Sequence, residues 1–365
     1  MISATLLPSL DGITQKILRA ERLTPAEGIF LYEKADLPLL GLLANVVREQ
    51  KNDKYVFYNR NIHIEPTNIC IYNCRFCSYS KKPGTDGWEF TPEEMLEKVK
   101  NAGDTITEVH IVGGVHPDRD AIFYGELMQR IKQIKPDIHI KAFTAIELDF
   151  MIRKAGMKLK EGLKYLKNCG LDSIPGGGAE IFDEEIRKQI CNKKNNADRW
   201  LEIHETAHQL GIPSNATILY GHVENYTHRI DHLTRLRELQ DRTGGFQAFI
   251  PLKYRSKNNE MSKIGEVSVI EDMKNYAFSR IYLDNIQHIK AYWPMLGKQM
   301  AQLALSFGVD DMDGTINDTT KIYSLAGAED TKPEMSSLEM IKLIAQAGRI
   351  PAERDSLYNI IKIDS

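Results

Sequence analysis

The sequence has few of the features that mark membrane, secreted or nucleic-acid-binding proteins. No apolar run approaches the roughly 20 residues needed to cross a bilayer. The opening stretch MISATLLPSLDGITQKILRAERL lacks the basic start of a signal peptide and has the pattern of an amphipathic helix. A formal net charge of -3 provides no electrostatic attraction toward DNA, RNA or an anionic membrane. We therefore predict a cytoplasmic protein that binds neither nucleic acid nor membrane.

Cysteine is also scarce, and its distribution is uneven. Five cysteines in 365 residues do not suggest a disulfide framework, and thiols stay reduced in the predicted compartment. Cys169 and Cys191 are isolated, so we interpret them as packing or surface thiols. Cys70, Cys74 and Cys77 instead lie close together in the chain, and this clustering needs a chemical explanation.

The rest of the chain alternates short β-rich runs with helical patterns, which is typical of an α/β protein. We predict a helical extension over residues 1–55, a parallel (β/α)8 TIM-type barrel over 56–330, and a helical tail packed on the barrel over 331–365. A six-unit partial barrel with an appended tail is the alternative. The predicted strands are Asn61–Thr67, Glu108–Gly114, Ile138–Thr144, Ser173–Gly178, Pro213–Gly221, Phe246–Leu252, Asp284–Trp293 and Val309–Gly314.

The clustered cysteines follow the first predicted strand with CxxxCxxC spacing, in EPTNICIYNCRFCSYS over residues 65–80. A cubic 4Fe–4S cluster takes soft thiolate ligands, one for each iron. Three thiolates in one loop hold three corners and leave the fourth iron without a protein ligand. A zinc knuckle lacks a second ligand pair here, and a thioredoxin-like pair leaves Cys70 unexplained. The spacing therefore predicts one 4Fe–4S cluster bound by Cys70, Cys74 and Cys77.

An iron with a free position invites chelation by the amino and carboxylate groups of S-adenosylmethionine. A reduced cluster can then pass one electron into the sulfonium, which breaks the C5′–S bond and makes a 5′-deoxyadenosyl radical. Such cofactors carry the hard chemistry, while the protein orients them and excludes water. We therefore expect a site for S-adenosylmethionine beside the cysteines.

Residues at the ends of the predicted strands are candidates for that site. The glycines of HIVGGVHP allow a close backbone approach to the methionine end, although a plain strand-to-loop turn is the alternative. The acid after PGGGA is a candidate for the ribose hydroxyls, or else a helix-start carboxylate. Inward-facing polar residues of the fifth strand serve the nucleoside or simply pack the barrel. The cofactor-binding candidates are Phe76, Gly113, Gly114, Glu180, Asn215 and Thr217.

One further motif points to a different chemistry. His204 and His208 match HExxH, whose paired histidines bind zinc in metalloproteases. The motif lies on a predicted outer helix of the barrel, far from the catalytic face. We interpret it as a coincidence on that helix.

Longer stretches resemble the aminofutalosine synthase family, radical S-adenosylmethionine enzymes of the futalosine route to menaquinone. The likeness extends from about residue 55 to AGRIPAERDSLYN at 347–359. Related dehypoxanthine futalosine cyclases and FO synthase subunits share the three-cysteine motif and the barrel, and they remain alternatives. A non-catalytic iron–sulfur protein is a further alternative. The stretches are KAFTAIELDF (141–150), LDSIPGGGAEIFD (171–183), PSNATILYGHVE (213–224), TGGFQAFIPL (243–252) and DDMDGT (310–315).

The resemblance implies a transferase. The adenosyl radical adds to the vinyl carbon of 3-[(1-carboxyvinyl)oxy]benzoate, and a carboxylate is lost as carbon dioxide or bicarbonate. The products are 6-amino-6-deoxyfutalosine and methionine, so S-adenosylmethionine is consumed as a co-substrate. An external one-electron reductant is the other implied partner.

A substrate with two carboxylates needs cationic partners in a dry pocket. Arg280 is the first candidate because arginine suits bidentate carboxylate recognition, although a surface ion pair is the alternative. His116 and Lys141 complete the predicted catalytic set, and Lys290 is a further candidate. The charged loop 253–266 follows a strand, so we expect it over the catalytic face, where its closure on substrate is a hypothesis.

Overall fold

The computed structural model describes residues 8–316, 321–328 and 333–364. Within those residues the helices are α1 (Leu10–Leu18), α2 (Pro25–Lys34), α3 (Leu37–Asn52), α4 (Pro92–Asn101), α5 (Ala121–Ile134), α6 (Ala145–Lys154), α7 (Leu159–Asn168), α8 (Glu184–Cys191), α9 (Ala197–Gln209), α10 (Tyr226–Thr243), α11 (Val269–Tyr282), α12 (Trp293–Leu296), α13 (Lys298–Ala304), α14 (Ile322–Leu325) and α15 (Ser337–Gln346). The strands are β1 (Tyr55–Asn59), β2 (Asn61–Ile64), β3 (Glu108–Ile111), β4 (His139–Ala142), β5 (Ser214–Tyr220), β6 (Phe246–Lys253), β7 (His288–Ile289), β8 (Asp311–Gly314), β9 (Ile350–Arg354) and β10 (Ile360–Ile363). No described helix is long and apolar enough to cross a bilayer.

Several helices begin at capping boxes that can be read in the sequence. Thr24, Thr91 and Thr144 each precede a glutamate by three residues, and in each case the threonine and glutamate side chains bond to one another's backbone N–H. Such reciprocal bonds satisfy amide groups that a helix start leaves without partners. The start of α2 after Thr24 follows from this local pattern. At α6 the capping box holds Glu147 close to the end of β3.

Parallel pairing of the strands closes a barrel. Pairs form between β2 and β3, β3 and β4, β5 and β6, β6 and β7, and β8 and β1. Single bridges through Ser173 and Ile174 join β4 to β5, and a bridge from Lys290 to Asp311 joins β7 to β8. Because β1 and β2 are one run interrupted at Arg60, the ring is complete. The predicted (β/α)8 barrel is confirmed, and the six-unit alternative is excluded.

The barrel strands are shorter than predicted where the chain must turn into the site. The fourth strand, predicted over Ser173–Gly178, contributes only its first two residues to the barrel. Pro175 has no N–H to donate to a neighbouring strand, so strand pairing ends there. The glycines that follow are thereby free to form a loop at the carboxyl end of the barrel.

The C-terminal segment contains more than the predicted helical tail. Helix α15 is present, but it is followed by a hairpin of β9 and β10, in which β9 pairs in parallel with β1. Pro351 lies inside β9 and weakens the strand signal in the sequence. The hairpin covers the amino-terminal end of the barrel. The predicted boundary between residues 330 and 331 lies outside the described residues.

Candidate active site

The cysteine loop follows β2 at the carboxyl end of the barrel, and backbone hydrogen bonds hold it in place. The Cys70 N–H donates to the Lys81 carbonyl at 2.8 Å, and the Ile71 N–H donates to the Val115 carbonyl at 3.0 Å. The Cys77 N–H donates to the Cys74 carbonyl at 3.0 Å, which turns the two cysteines toward one another. The loop is thus anchored both to itself and to the end of β3.

All three cysteines line one cavity of about 520 Å³, here called the cysteine cavity. Among the described residues, no group of three or more His, Cys, Asp or Glu side chains is arranged to hold a single metal ion. A 4Fe–4S cluster requires a different arrangement from a single metal ion, because each cysteine thiolate binds a separate iron of the cluster. Three cysteines on one cavity are the donor set that such a cluster takes.

The surroundings of the cysteines are apolar. Cys70 and Cys74 pack against Tyr72, Val115 and Ile146. Burial raises the pKa of both thiols above the usual value. A bound cluster would keep these thiols deprotonated, and the apolar shell would limit the access of water to its irons.

Gly113 and Gly114 lie in the wall of the cysteine cavity, as the sequence analysis expected. A Cβ atom on Gly114 would lie 2.3 Å from the Ile69 carbonyl oxygen, and one on Gly113 would lie 2.8 Å from that of Thr67. The glycines therefore let the loop after β3 pack directly against the cysteine loop. The Gly113 N–H also donates to Glu147 Oε1 at 3.1 Å. Contact with the methionine end of S-adenosylmethionine remains a prediction.

A second cavity of about 510 Å³ adjoins the first and is here called the middle cavity. Phe76, Cys77 and Glu180 line it, so two of the predicted cofactor-binding residues, Phe76 and Glu180, are close together. Glu180 Oε1 accepts a hydrogen bond from Lys194 Nζ at 2.5 Å, and that ammonium lies 5.3 Å from the centre of the Phe76 ring. The Glu180 carboxylate and the Lys194 ammonium thus face the region where the first two cavities meet.

Lys194 was missed by the sequence analysis. It lines the cysteine cavity although it belongs to the polar run NKKNN after α8, which has no distinguishing pattern. Burial opposes its charge, but nearby Cys74 and Glu180 outweigh that effect and raise the pKa of Lys194 well above its usual value. Only the fold shows that this lysine approaches the cysteines.

A third cavity of about 590 Å³ occupies the carboxyl half of the barrel interior and is here called the lumen cavity. Its volume falls in the range of about 300–1,000 Å³ that is typical of small-molecule sites. Thr217 lines it and donates through Oγ1 to the Gly176 carbonyl at 2.8 Å. Asn215 is buried beside Gly176 and lines none of the three cavities. The other lining residues are His63, Ile64, Glu65, His110, Val112, Thr144, Pro175, Gly177, Ile250, Leu252, Tyr292, Ile322 and Tyr323.

The three cavities share walls. Thr144 borders both the cysteine cavity and the lumen cavity, and Tyr323 borders both the middle cavity and the lumen cavity. Phe76 and Cys77 are common to the cysteine and middle cavities. A cluster, a nucleoside and a small substrate can therefore lie next to one another along one path.

The structure corrects the choice of Arg280 as a carboxylate-binding residue. Arg280 lies in the last turn of α11, at the amino ends of the barrel strands. Its guanidinium donates to the carbonyls of Gly308 and Gln287 at 2.8 and 2.9 Å, and it pairs with Asp310. These bonds occupy all three nitrogens inside the protein. Arg280 is a structural residue at the end of the barrel opposite the cysteines.

The other predicted cations are also paired with carboxylates of the protein. Lys141 Nζ donates to Glu108 Oε2 at 2.6 Å, and Lys290 Nζ donates to Asp313 Oδ1 at 2.6 Å, both deep in the barrel below the lumen cavity. His116 lies in the loop after β3, where its Nε2 is 3.3 Å from Glu89. None of these predicted cations lines the three described cavities.

The HExxH histidines belong to the packing between α9 and the barrel. His204 Nδ1 and His208 Nε2 both bond to Ser214 Oγ, at 2.8 and 2.7 Å. His204 also lies against Trp200, with ring centres 3.8 Å apart. Ser214 at the start of β5 therefore explains both histidines as structural residues.

The loop 253–266 lies across the mouth of the barrel, in the place expected from its position after β6. Ser78 Oγ in the cysteine loop donates to the Lys257 carbonyl at 2.6 Å, and Asn258 Nδ2 donates to the Leu325 carbonyl at 2.8 Å. The loop therefore joins the cysteine loop to α14 above the middle cavity. Its closure on substrate remains a hypothesis.

Comparison with known proteins agrees with this geometry. Residues 64–236 match the model of the radical SAM superfamily, and residues 243–365 match that of the CofH/MqnC C-terminal region. The chain is 41% identical to aminodeoxyfutalosine synthase of Thermus thermophilus, over 98% of this chain and 97% of the relative. It is 40% identical to aminodeoxyfutalosine synthase of Streptomyces coelicolor, over 96% of this chain and 93% of the relative.

A solved structure supports the fold independently. Methylornithine synthase (PylB) superposes with a TM-score of 0.75 at 17% identity, over 93% of this chain and 97% of that one. At this identity the likeness concerns the barrel alone. The sequence relatives carry the finer assignment: the chain belongs to the aminodeoxyfutalosine synthase family of the radical S-adenosylmethionine superfamily.

Proposed function

We propose that this chain joins the 5′-deoxyadenosyl group of S-adenosylmethionine to 3-[(1-carboxyvinyl)oxy]benzoate in menaquinone biosynthesis. The adenosyl carbon bonds to the vinyl carbon, one carboxylate leaves as carbon dioxide or bicarbonate, and 6-amino-6-deoxyfutalosine and methionine are the products. The names of the relatives support this reaction. Among the structural features, the observation that carries it is the continuity of the cysteine, middle and lumen cavities.

The cofactors of this superfamily are a 4Fe–4S cluster and S-adenosylmethionine. When bound and reduced by an external electron donor, the cluster supplies the electron that releases the adenosyl radical. Cys70, Cys74 and Cys77 would hold it, since they line one apolar cavity. We further propose a cytoplasmic location, where thiols stay reduced.

The remaining residues orient the two organic substrates. Glu180 at the border of the middle cavity accepts hydrogen bonds from ribose hydroxyls, and Lys194 beside it fixes the direction of its carboxylate. Tyr323 separates the nucleoside from the lumen cavity, where the aromatic substrate lies against apolar walls. A dry lumen favours addition of the radical to the substrate because few other groups there can react with it.

Mass spectrometry of an anaerobic assay tests the proposal. Protein with reconstituted cluster is reduced and given S-adenosylmethionine together with the enol-ether benzoate. We expect the adenosyl group in a covalent adduct of the benzoate, with one equivalent of methionine. The Cys74→Ser variant is the matched control and should give neither product.

The same assay separates the related cyclases. A cyclase acting on dehypoxanthine futalosine would release free 5′-deoxyadenosine and leave the benzoate unchanged. Detection of the adenosyl group in free 5′-deoxyadenosine alone would therefore contradict the proposed substrate. A protein that yields no 5′-deoxyadenosyl product with either substrate would contradict a catalytic role.

A further inference from the structure

The lumen cavity contains two histidines in direct contact. His110 Nδ1 lies 3.2 Å from His63 Nε2, and the Tyr292 hydroxyl lies 3.5 Å from His63 Nδ1. The pair follows from strand register, because His63 in β2 is directly opposite His110 in β3 and both side chains point inward. Only one proton can lie between the two nitrogens, so one ring donates and the other accepts.

The far end of this chain of hydrogen bonds, His110 Nε2, is buried and has no partner among the described residues. A buried polar atom without a partner is costly, and a ligand that supplies one gains the corresponding free energy. His110 borders the lumen cavity, so a ligand in that cavity can provide the missing partner.

The charge of the cavity gives the second argument. Among its described lining residues there is no lysine or arginine, so His63 and His110 are the groups there that can become cationic. The lining carboxylate, Glu65, accepts hydrogen bonds from the backbone N–H groups of Lys321 and Ile322. A dianionic substrate in this apolar space therefore needs a positive charge that the resting cavity does not hold.

We propose that His63 and His110 form the binding subsite for one carboxylate of the substrate and take up one proton from solvent when the substrate binds. This inference rests on the proposed function, which supplies a dicarboxylate for the lumen cavity. The carboxylate accepts a hydrogen bond from His110 Nε2, and the added proton makes the histidine pair cationic. Tyr292 holds the other end of the pair.

The resting state is consistent with neutral rings. Burial lowers the pKa of His63 to about 4 and that of His110 well below its usual value. The charges beneath the pair lie in compensating ion pairs, Lys141 with Glu108 and Lys290 with Asp313. A bound carboxylate adds an uncompensated negative charge and raises the pKa of the pair. The ionisable groups around the two rings are Glu65, Glu108, Lys141, Lys290, Tyr292, Asp313 and Tyr323.

Calorimetric titration of the enol-ether benzoate into cluster-loaded enzyme, in two buffers of different ionisation enthalpy, counts the protons taken up. We expect about one proton per substrate bound near neutral pH. His110→Asn keeps an amide near the position of Nδ1 and removes Nε2, so it should abolish the uptake and weaken substrate binding by about 10- to 100-fold. His63→Gln keeps the contact to His110 and should also abolish the uptake.

Two comparisons make the result specific. His228→Gln, at the third position of α10 where glutamine suits the capping box, should leave both the uptake and the affinity unchanged. An analogue whose ring carboxylate and side-chain carboxylate are both amides should bind wild type without proton uptake, and His110→Asn should weaken its binding much less than that of the dicarboxylate. If His110→Asn weakens the diamide as much as the dicarboxylate, the loss is one of shape and the subsite is disproved.

The outcome also separates this inference from the proposed function. Formation of the adenosyl adduct without proton uptake would overturn the carboxylate subsite and leave the reaction standing. Absence of the adduct from wild-type enzyme would instead overturn the reaction itself. Cluster content and S-adenosylmethionine binding should be unaffected in His110→Asn, because neither histidine lines the cysteine or middle cavity.

Discussion

The two ends of the barrel use the same kinds of residue in opposite ways. At the amino end, charged side chains are paired with one another: Arg280 with Asp310, Arg354 with Asp311, and Lys141 with Glu108. At the carboxyl end, thiols line a cavity with a lysine beside them, and His110 presents an unpartnered nitrogen. The comparison teaches that a charged residue type does not identify a site. What distinguishes the carboxyl end is that its thiols, Lys194 and His110 border cavities.

The largest effect should come from the cysteine loop. Replacing any one of Cys70, Cys74 or Cys77 by serine should abolish turnover, because a hard hydroxyl does not replace a thiolate on iron. The unfolding transition of the cluster-free protein should hardly change, since the barrel core does not depend on these thiols. Iron and sulfide content, adduct formation and denaturant unfolding measure the three quantities. Cys169→Ala, in the outer core, is the control and should retain cluster and turnover.

Breaking an ion pair at the other end should act on stability first. Lys141→Met leaves the Glu108 carboxylate buried without its partner, and we expect a loss of about 3–5 kcal/mol in the free energy of unfolding. The double variant with Glu108→Leu should recover most of that loss. Urea denaturation of the cluster-free proteins provides the measurement.

An exposed pair gives the matched control for that experiment. Lys188 Nζ and Glu185 Oε1 are also 2.6 Å apart, but both side chains are more than half exposed. Lys188→Met should therefore leave the free energy of unfolding nearly unchanged, since water screens an exposed pair. Equal losses in the buried and exposed variants would mean that the barrel interior is no drier than its surface.

Glu180→Gln tests the middle cavity. Loss of the carboxylate should raise the KM for S-adenosylmethionine by about 10- to 100-fold, since a hydrogen bond to a charged acceptor contributes about 1.5–3 kcal/mol. Steady-state kinetics at saturating benzoate measure it. Glu185→Gln on the exposed face of α8 should leave that KM unchanged. An unchanged KM in Glu180→Gln would remove this residue from the proposed nucleoside site.

The smallest effect is expected at His116, a predicted catalytic residue that lies outside the cavities. His116→Asn should alter kcat/KM by less than about twofold, because His116 lines none of the three cavities and changes away from a site have small effects. A decrease in kcat/KM as large as that expected for Glu180→Gln would show that His116 takes part in the reaction. The functional site would then extend beyond the three cavities.

Sequence reasoning succeeded where the signal is local. The CxxxCxxC spacing defines a cluster ligand set within one loop, and the strand and helix periodicities define the barrel. It failed for Arg280, because the depth of a side chain along a barrel depends on the whole fold. Lys194 was missed because a polar loop carries no periodic pattern that could show its approach to the cysteines.

The histidine pair could be predicted from the sequence only in part. NIHIEP and EVHIVGG each place a polar residue at every second position of a predicted strand, as in Asn61 and His63 or Glu108 and His110. Alternation of this kind in an otherwise buried strand indicates a polar barrel interior. The signal was available, but only strand register determines which residues become neighbours.

The C-terminal hairpin gives the barrel one closed end. Arg354 on β9 reaches Asp311 on β8 at 2.7 Å, and Tyr358 in the hairpin turn stacks on His288 with ring centres 3.7 Å apart. Ligands therefore enter and leave at the carboxyl end of the barrel, beside the cysteine loop. Under the proposed function the benzoate would lie deeper than the nucleoside, so we expect it to bind first. The proposed product would span the middle and lumen cavities, and we expect its release to require opening of the loop 253–266.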